Sequence, residues 1–166
     1  MDQKKVYALV QSSPDIVGRH DRQAWLDLFF TSGVAEDPVG AGQNRKGQGF
    51  RAGIDELARF YDVFIAPNDI RFTVNQDIII DNEMARDVLI RTTLPNGAIS
   101  EVEALLLYLV AEENGELKIQ TLRAHWNFTA NAIGLLTKNG IKGMAASFKQ
   151  FGNMIKIQGL PRVLAY

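Results

Sequence analysis

The chain has 166 residues, of which 46% are apolar, 22% charged and 9% aromatic, with a net charge of −1. That is the make-up of one globular domain, with or without an appendage, and it excludes disordered and collagen-like chains. With no cysteine and only two histidines, His20 and His125, there is no disulfide framework, thiolate zinc site or cysteine nucleophile, and no metal site is expected.

Apolar runs are too short for a transmembrane helix, and the first residues lack the apolar core of a signal peptide, so a cytoplasmic setting is expected. Charge is unevenly spread. Residues 1–116 hold all 19 acidic residues and eleven basic ones, a balance of −8, whereas residues 117–166 hold seven basic residues and no acidic one. Such a split marks an interaction tail or a basic segment lying on an acidic body.

Helical signals come first. Val6, Ala8, Leu9 and Val10 form an apolar stretch, and Ser13-Pro14-Asp15 reads as an N-cap, a first-turn proline and an acid, which predicts a kink or restart near Ser13. From Asp21, Trp25, Leu28 and Phe29 recur at helical spacing, with Gly33 placed to end the helix. Residues 38–53 are glycine-rich and read as a loop. The next helix is predicted over 53–65, where Ile54, Leu57, Ala58 and Tyr61 share a face before Pro67-Asn68-Asp69 stops it.

The middle of the chain switches to a β pattern. Ile70–Val74, Ile78–Ile80, Ala85–Leu94, Ile99–Val110 and Leu117–Phe128 read as strands, with hairpin turns at Asn96-Gly97 and Asn114-Gly115. Short turns demand antiparallel neighbours, so helices followed by a meander give an α+β fold. Helical periodicity returns near residue 130 and breaks at Asn139-Gly140. Ile141, Met144, Ala145, Phe148, Phe151 and Ile155 then line one face, and Lys142, Lys149 and Lys156 another, until Gly159 and Pro161 end the helix. The apolar face is expected to pack on the body or on a dimer partner, with the lysines solvated, and membrane contact through this tail is not expected.

Glu36-Asp37-Pro38-Val39-Gly40 has two readings. Asp, Pro and Gly at the first, second and fourth positions suit a type I turn that Asp37 merely caps. Alternatively, Asp37 is a carboxylate at the mouth of an apolar pocket, where desolvation raises its pKa and lets it carry a proton between carbons. The glycine loop lacks the Gly-Lys-Ser/Thr ending of a phosphate cradle, and no nucleic-acid motif is present.

Taken together, Asp21 before a helix, Glu36-Asp37-Pro38-Val39-Gly40, Arg59-Phe60-Tyr61 and Lys118-Ile119-Gln120-Thr121-Leu122-Arg123-Ala124-His125-Trp126 resemble the steroid Δ-isomerase (ketosteroid isomerase) family of the nuclear transport factor 2-like, polyketide cyclase superfamily. The resemblance covers roughly residues 5–128, with an insertion at 41–53. It implies a cone-shaped, cystatin-like α+β fold, with N-terminal helices over the concave face of a curved antiparallel sheet. Residues 1–128 would be the pocket domain and 129–166 a helical tail packed on it. Family chemistry uses a carboxylate to remove a proton next to a ketone while a Tyr and a protonated Asp donate hydrogen bonds to the dienolate oxygen.

Carried over residue by residue, Asp37 matches the base, Tyr61 a supporting tyrosine and Trp126 an aromatic pocket wall, with Trp25, Phe60 and Leu106 expected beside it. The oxyanion tyrosine is replaced by Ser13, and the strand 103–110 carries no Asp. Tyr108, Ser13 and Glu103 are the candidates for a replacement donor, although a strand tyrosine is more often core, Ser13 suits a helix cap and a glutamate at a strand end is more often exposed. His125 alternates with Trp126 and should face away from the pocket. The resemblance implies a homodimer paired through the outer sheet face, a small apolar ligand and no cofactor. Two function classes stay open: an isomerase or cyclase acting on an apolar carbonyl compound with Asp37 as proton shuttle, or a non-catalytic small-ligand-binding or interaction module.

Overall fold

A computed structural model describes residues 1–39 and 50–158, without the side chains of Phe50, Gln150, Phe151 and 153–158. The glycine loop at 40–49 and the expected stop at Gly159 and Pro161 lie outside the described residues. Helix α1 (Gln3–Gly18) begins where Asp2 accepts a hydrogen bond from the Lys4 N–H at 3.0 Å. No restart occurs at Ser13, because Pro14 sits inside the helix. An interior proline costs about 3 kcal/mol. Burial of Val6, Val10, Ile16 and Val17 on both sides of it outweighs that cost.

Helix α2 (Arg22–Asp27) is capped by the Asp21 carboxylate, which accepts from the Ala24 N–H at 3.0 Å. It stops six residues before Gly33, and Phe29–Glu36 is strand β1. The helical spacing of Trp25, Leu28 and Phe29 is thus shared between two elements that bury against one core. Gly33 ends no helix: it lies where the register of β1 shifts, and a Cβ there would come within 2.9 Å of the Phe30 carbonyl oxygen. Strand β2 (Phe50–Ala52) occupies part of the expected loop, and α3 (Ile54–Phe60) widens into a π-helical turn at Tyr61–Ile65.

Strand β3 (Asp69–Ile80) is continuous where two strands were expected, because an irregularity between Val74 and Gln76 absorbs the polar Asn75-Gln76-Asp77 without turning the chain. Strands β4 (Glu83–Thr93), β5 (Ile99–Glu113) and β6 (Glu116–His125) complete the antiparallel part. At the β5–β6 turn Asn114 and Gly115 both take positive φ, 55° and 86°, as a two-residue hairpin requires. The sheet order is β2-β1-β6-β5-β4-β3, with β1 parallel to β6 and both edges unpaired among the described residues. α1 and α3 lie against it, and the core between them includes Leu57, Val88, Val110 and Ile119.

Helix α4 (Phe128–Gln158) is interrupted at Gly140, with φ 56° and ψ −133°. Gly143 then lies against the Leu135 carbonyl, so the second segment turns back on the first. Asn139 brackets the Ile99 peptide, accepting from its N–H at 2.8 Å and donating to its carbonyl at 2.9 Å. Leu135 and Ala146 bury against Leu94 and Ala98 at the β4–β5 turn. The body does not cover the apolar face of the second segment: Ile141, Met144 and Phe148 are 82%, 48% and 72% exposed, and Phe151 and Ile155 have no described side chains. Gly143 and Ala146 allow closer approach than large side chains would, and so they face the body instead.

Candidate functional site

Helices and the concave sheet face enclose a cavity of about 210 Å³. Trp25, Phe60, Leu106 and Trp126 all line it, as do Ser13, Asp37 and Tyr108. Tyr61 does not: its ring is buried beside Trp25, 5.5 Å between centroids, and its hydroxyl has no partner among the described residues. Phe60 and Phe64, four residues apart on the widened helix, take the cavity side instead. Glu103 and His125 point away from the cavity. Glu103 is exposed beside Leu105 on the outer face, and His125 pairs across the sheet with Leu105.

Asp37 follows the end of β1, where the Val39 N–H still bonds the Ala124 carbonyl of β6 at 2.8 Å. That pairing sets the carboxylate beside Trp126 one residue past the end of β6. The Trp126 indole N–H donates to Asp37 Oδ1 at 2.6 Å, and Oδ2 has no hydrogen bond among the described residues. The Asp37-Pro38 peptide is cis. Arg51 Nη1 donates to the Asp37 carbonyl at 3.1 Å, its guanidinium 4.4 Å from the Phe60 ring centre. Burial raises the Asp37 carboxyl above its ordinary pKa, and the Trp126 bond and the Arg51 charge only partly offset that rise.

The hydroxyls of Ser13 and Tyr108 make no hydrogen bond to a described residue, although both residues line the cavity. Burial pushes the Tyr108 phenol well above the usual tyrosine value, the Arg86 charge pulls it down, and the Asp37 charge adds to the rise. Tyr108 therefore keeps its proton at neutral pH and can donate it. Arg86 is itself fully buried one strand away, bonded to Asp77 at 2.8 and 2.9 Å and to Gln11 of α1.

Sequence reasoning missed Arg51, Arg86 and the polar pair Ser100–Asn131, whose 2.7 Å hydrogen bond joins β5 to α4 at the cavity wall. The Phe60/Phe64 spacing was a readable sign of a second aromatic face, whereas the two arginines acquire their places only through strand pairing. No three His, Cys, Asp or Glu side chains among the described residues converge as metal ligands would.

An open curved sheet with helices on its concave side, closing over an apolar cavity that holds one desolvated carboxylate, defines a pocket protein of the nuclear transport factor 2-like fold. No protein-family model and no curated protein matches the sequence. Among solved structures, the Δ5-3-ketosteroid isomerase of a Mycobacterium species is 33% identical with a TM-score of 0.66, the match covering 76% of this chain and 95% of that one. RV0760c of Mycobacterium tuberculosis, solved with estradiol-17beta-hemisuccinate, is 28% identical with a TM-score of 0.66 over 75% of this chain and 95% of that one. A computationally designed 17-OHP binder is 26% identical, with the same TM-score and the same two coverages. The chain belongs to the ketosteroid isomerase family of the nuclear transport factor 2-like superfamily.

Proposed function

We propose that the chain binds a small apolar carbonyl compound in this cavity and moves a proton between its carbons with Asp37 as the shuttle. The observation that supports this reading is one apolar-walled cavity lined by a carboxylate whose pKa burial raises and by two hydroxyls that no described residue engages. The ligand's carbonyl oxygen would accept hydrogen bonds from Tyr108 and Ser13. Asp37 would take a proton from the adjacent carbon, the electron pair would move to the carbonyl oxygen, and the carboxyl would return the proton to another carbon of the conjugated system. Trp126 would hold Oδ1 and leave Oδ2 to carry the proton. Trp25, Phe60 and Leu106 would supply apolar contact, with Tyr61 packing behind Trp25 rather than touching ligand.

Binding without chemistry is the second reading, favoured by the steroid-bound RV0760c complex and the designed binder among the similar structures. For the homodimer, the supporting feature is the outer sheet face, where Ile78 and Leu105 are 51% and 43% exposed beside Ala85.

Conversion of a β,γ-unsaturated 3-ketosteroid to its conjugated isomer, followed by ultraviolet absorbance, tests the proposal. Asp37→Asn keeps an acceptor for Trp126 and should lower kcat by about 10²- to 10⁴-fold with ligand Kd nearly unchanged. Tyr108→Phe should lower kcat by about 10²- to 10³-fold. Full turnover in Asp37→Asn removes Asp37 as the base. Tight binding with no turnover of this or other apolar ketones by the unaltered chain establishes the second reading.

A further inference from the structure

We propose that the outward face of α4 lies on an anionic lipid surface. The helix is already held by its inner side: Leu135 and Ala146 are buried, Asn139 brackets Ile99, and Asn96 donates to the Lys142 carbonyl at 2.9 Å. The large apolar residues on its exposed side take no part in that docking. Ile133 and Leu136 before the break are 55% and 41% exposed, and Ile141, Met144 and Phe148 after it are 82%, 48% and 72% exposed. Ile141, Met144 and Phe148 recur at helical spacing on one side of the second segment, and three such exposed side chains together are a binding surface rather than ordinary surface scatter.

Charge chooses the occupant. Lys142 and Lys149 are exposed among these residues, Lys138 pairs with Glu101 at 3.4 Å, and no acidic residue follows Glu116 in the sequence. Apolar side chains interleaved with lysines whose stems reach up to headgroup phosphates are the composition of a helix lying in the membrane interface. The core of a protein–protein interface is instead depleted in lysine. The helix does not cross: no described helix is long and apolar enough to span a bilayer.

Position gives the surface a use. Phe128 and Asn131, in the first turn of α4, line the cavity. A bilayer under α4 therefore brings the cavity wall near the phase into which apolar compounds partition. The lipid contact goes beyond the ligand reading and stands without it.

Co-sedimentation of the full chain with phosphatidylcholine vesicles, with and without phosphatidylserine, tests this. Binding is expected only to the phosphatidylserine vesicles and should weaken in high salt. It should fall by at least about thirtyfold in Lys142→Glu/Lys149→Glu and be lost in Ile141→Asn/Phe148→Asn, with thermal unfolding unchanged because these side chains are exposed. Absence of binding, or binding indifferent to these substitutions, overturns the proposal. So does a concentration-dependent oligomer in analytical ultracentrifugation that Phe148→Asn dissolves, since the face would then belong to a second copy.

Discussion

Asp37 is half-buried where it lines the cavity with Pro38, Trp126 and Phe60, and only one of its oxygens is committed to a hydrogen bond among the described residues. Desolvation lifts its pKa above the ordinary 3.8, so between 3.8 and the raised value the folded chain binds more protons than the unfolded one. Stability carried by the protonated carboxyl is full at low pH and falls as pH rises through that window. Asp37→Asn removes this dependence. Urea unfolding across pH 4 to 8 should show the unaltered chain losing stability relative to Asp37→Asn as pH rises, and the opposite slope would mean that the carboxylate is stabilised as an anion. Asp37 and Trp126 were legible because each sits in a short local pattern, Glu-Asp-Pro-Val-Gly and Ala-His-Trp. Tyr61 is buried as a supporting tyrosine should be but lies outside the cavity wall, because its one-residue offset from Phe60 turns it toward Trp25. Arg86 could not be found from sequence, since its partners Gln11 and Asp77 are brought to it only by helix docking and strand pairing.

Among the elements, strands β4 to β6 and their turns were readable because alternation and Asn-Gly pairs are local signals. β1 was not, since its pairing with β6 joins residues far apart in the chain and overrides the helical spacing at its start. The same holds for α4: the break at Gly140 is written in Asn139-Gly140, but the buried side is decided by how closely the helix approaches the body. Gly143 lets the second segment close on the first, for an added Cβ would run into the Leu135 carbonyl. In an unobstructed helix Gly→Ala gains up to about 1 kcal/mol. Here Gly143→Ala should instead cost about 1–3 kcal/mol by forcing the two segments apart. Trypsin cleavage after Lys142 and Lys149 reads this directly: faster cleavage in Gly143→Ala is expected, and slower cleavage would show that the segments do not touch at Gly143.

For the molecule as a whole, charge, cavity and tail form one arrangement. An acidic pocket body, at −8 over residues 1–116, carries a basic helix whose first turn walls the cavity and whose outer face stays open. Family membership sets the frame, and the sequence has Ser13 where the resemblance would put an oxyanion tyrosine and no Asp at 103–110 on the strand that holds Tyr108. The chemistry therefore rests on whether Asp37 moves carbon-bound protons at all. Exchange of hydrogen for deuterium next to the carbonyl of a bound apolar ketone, followed by proton NMR in heavy water, measures that step without assuming a particular product. Exchange accelerated by the unaltered chain and lost in Asp37→Asn is the expected result, and equal exchange in both would contradict a proton shuttle at Asp37.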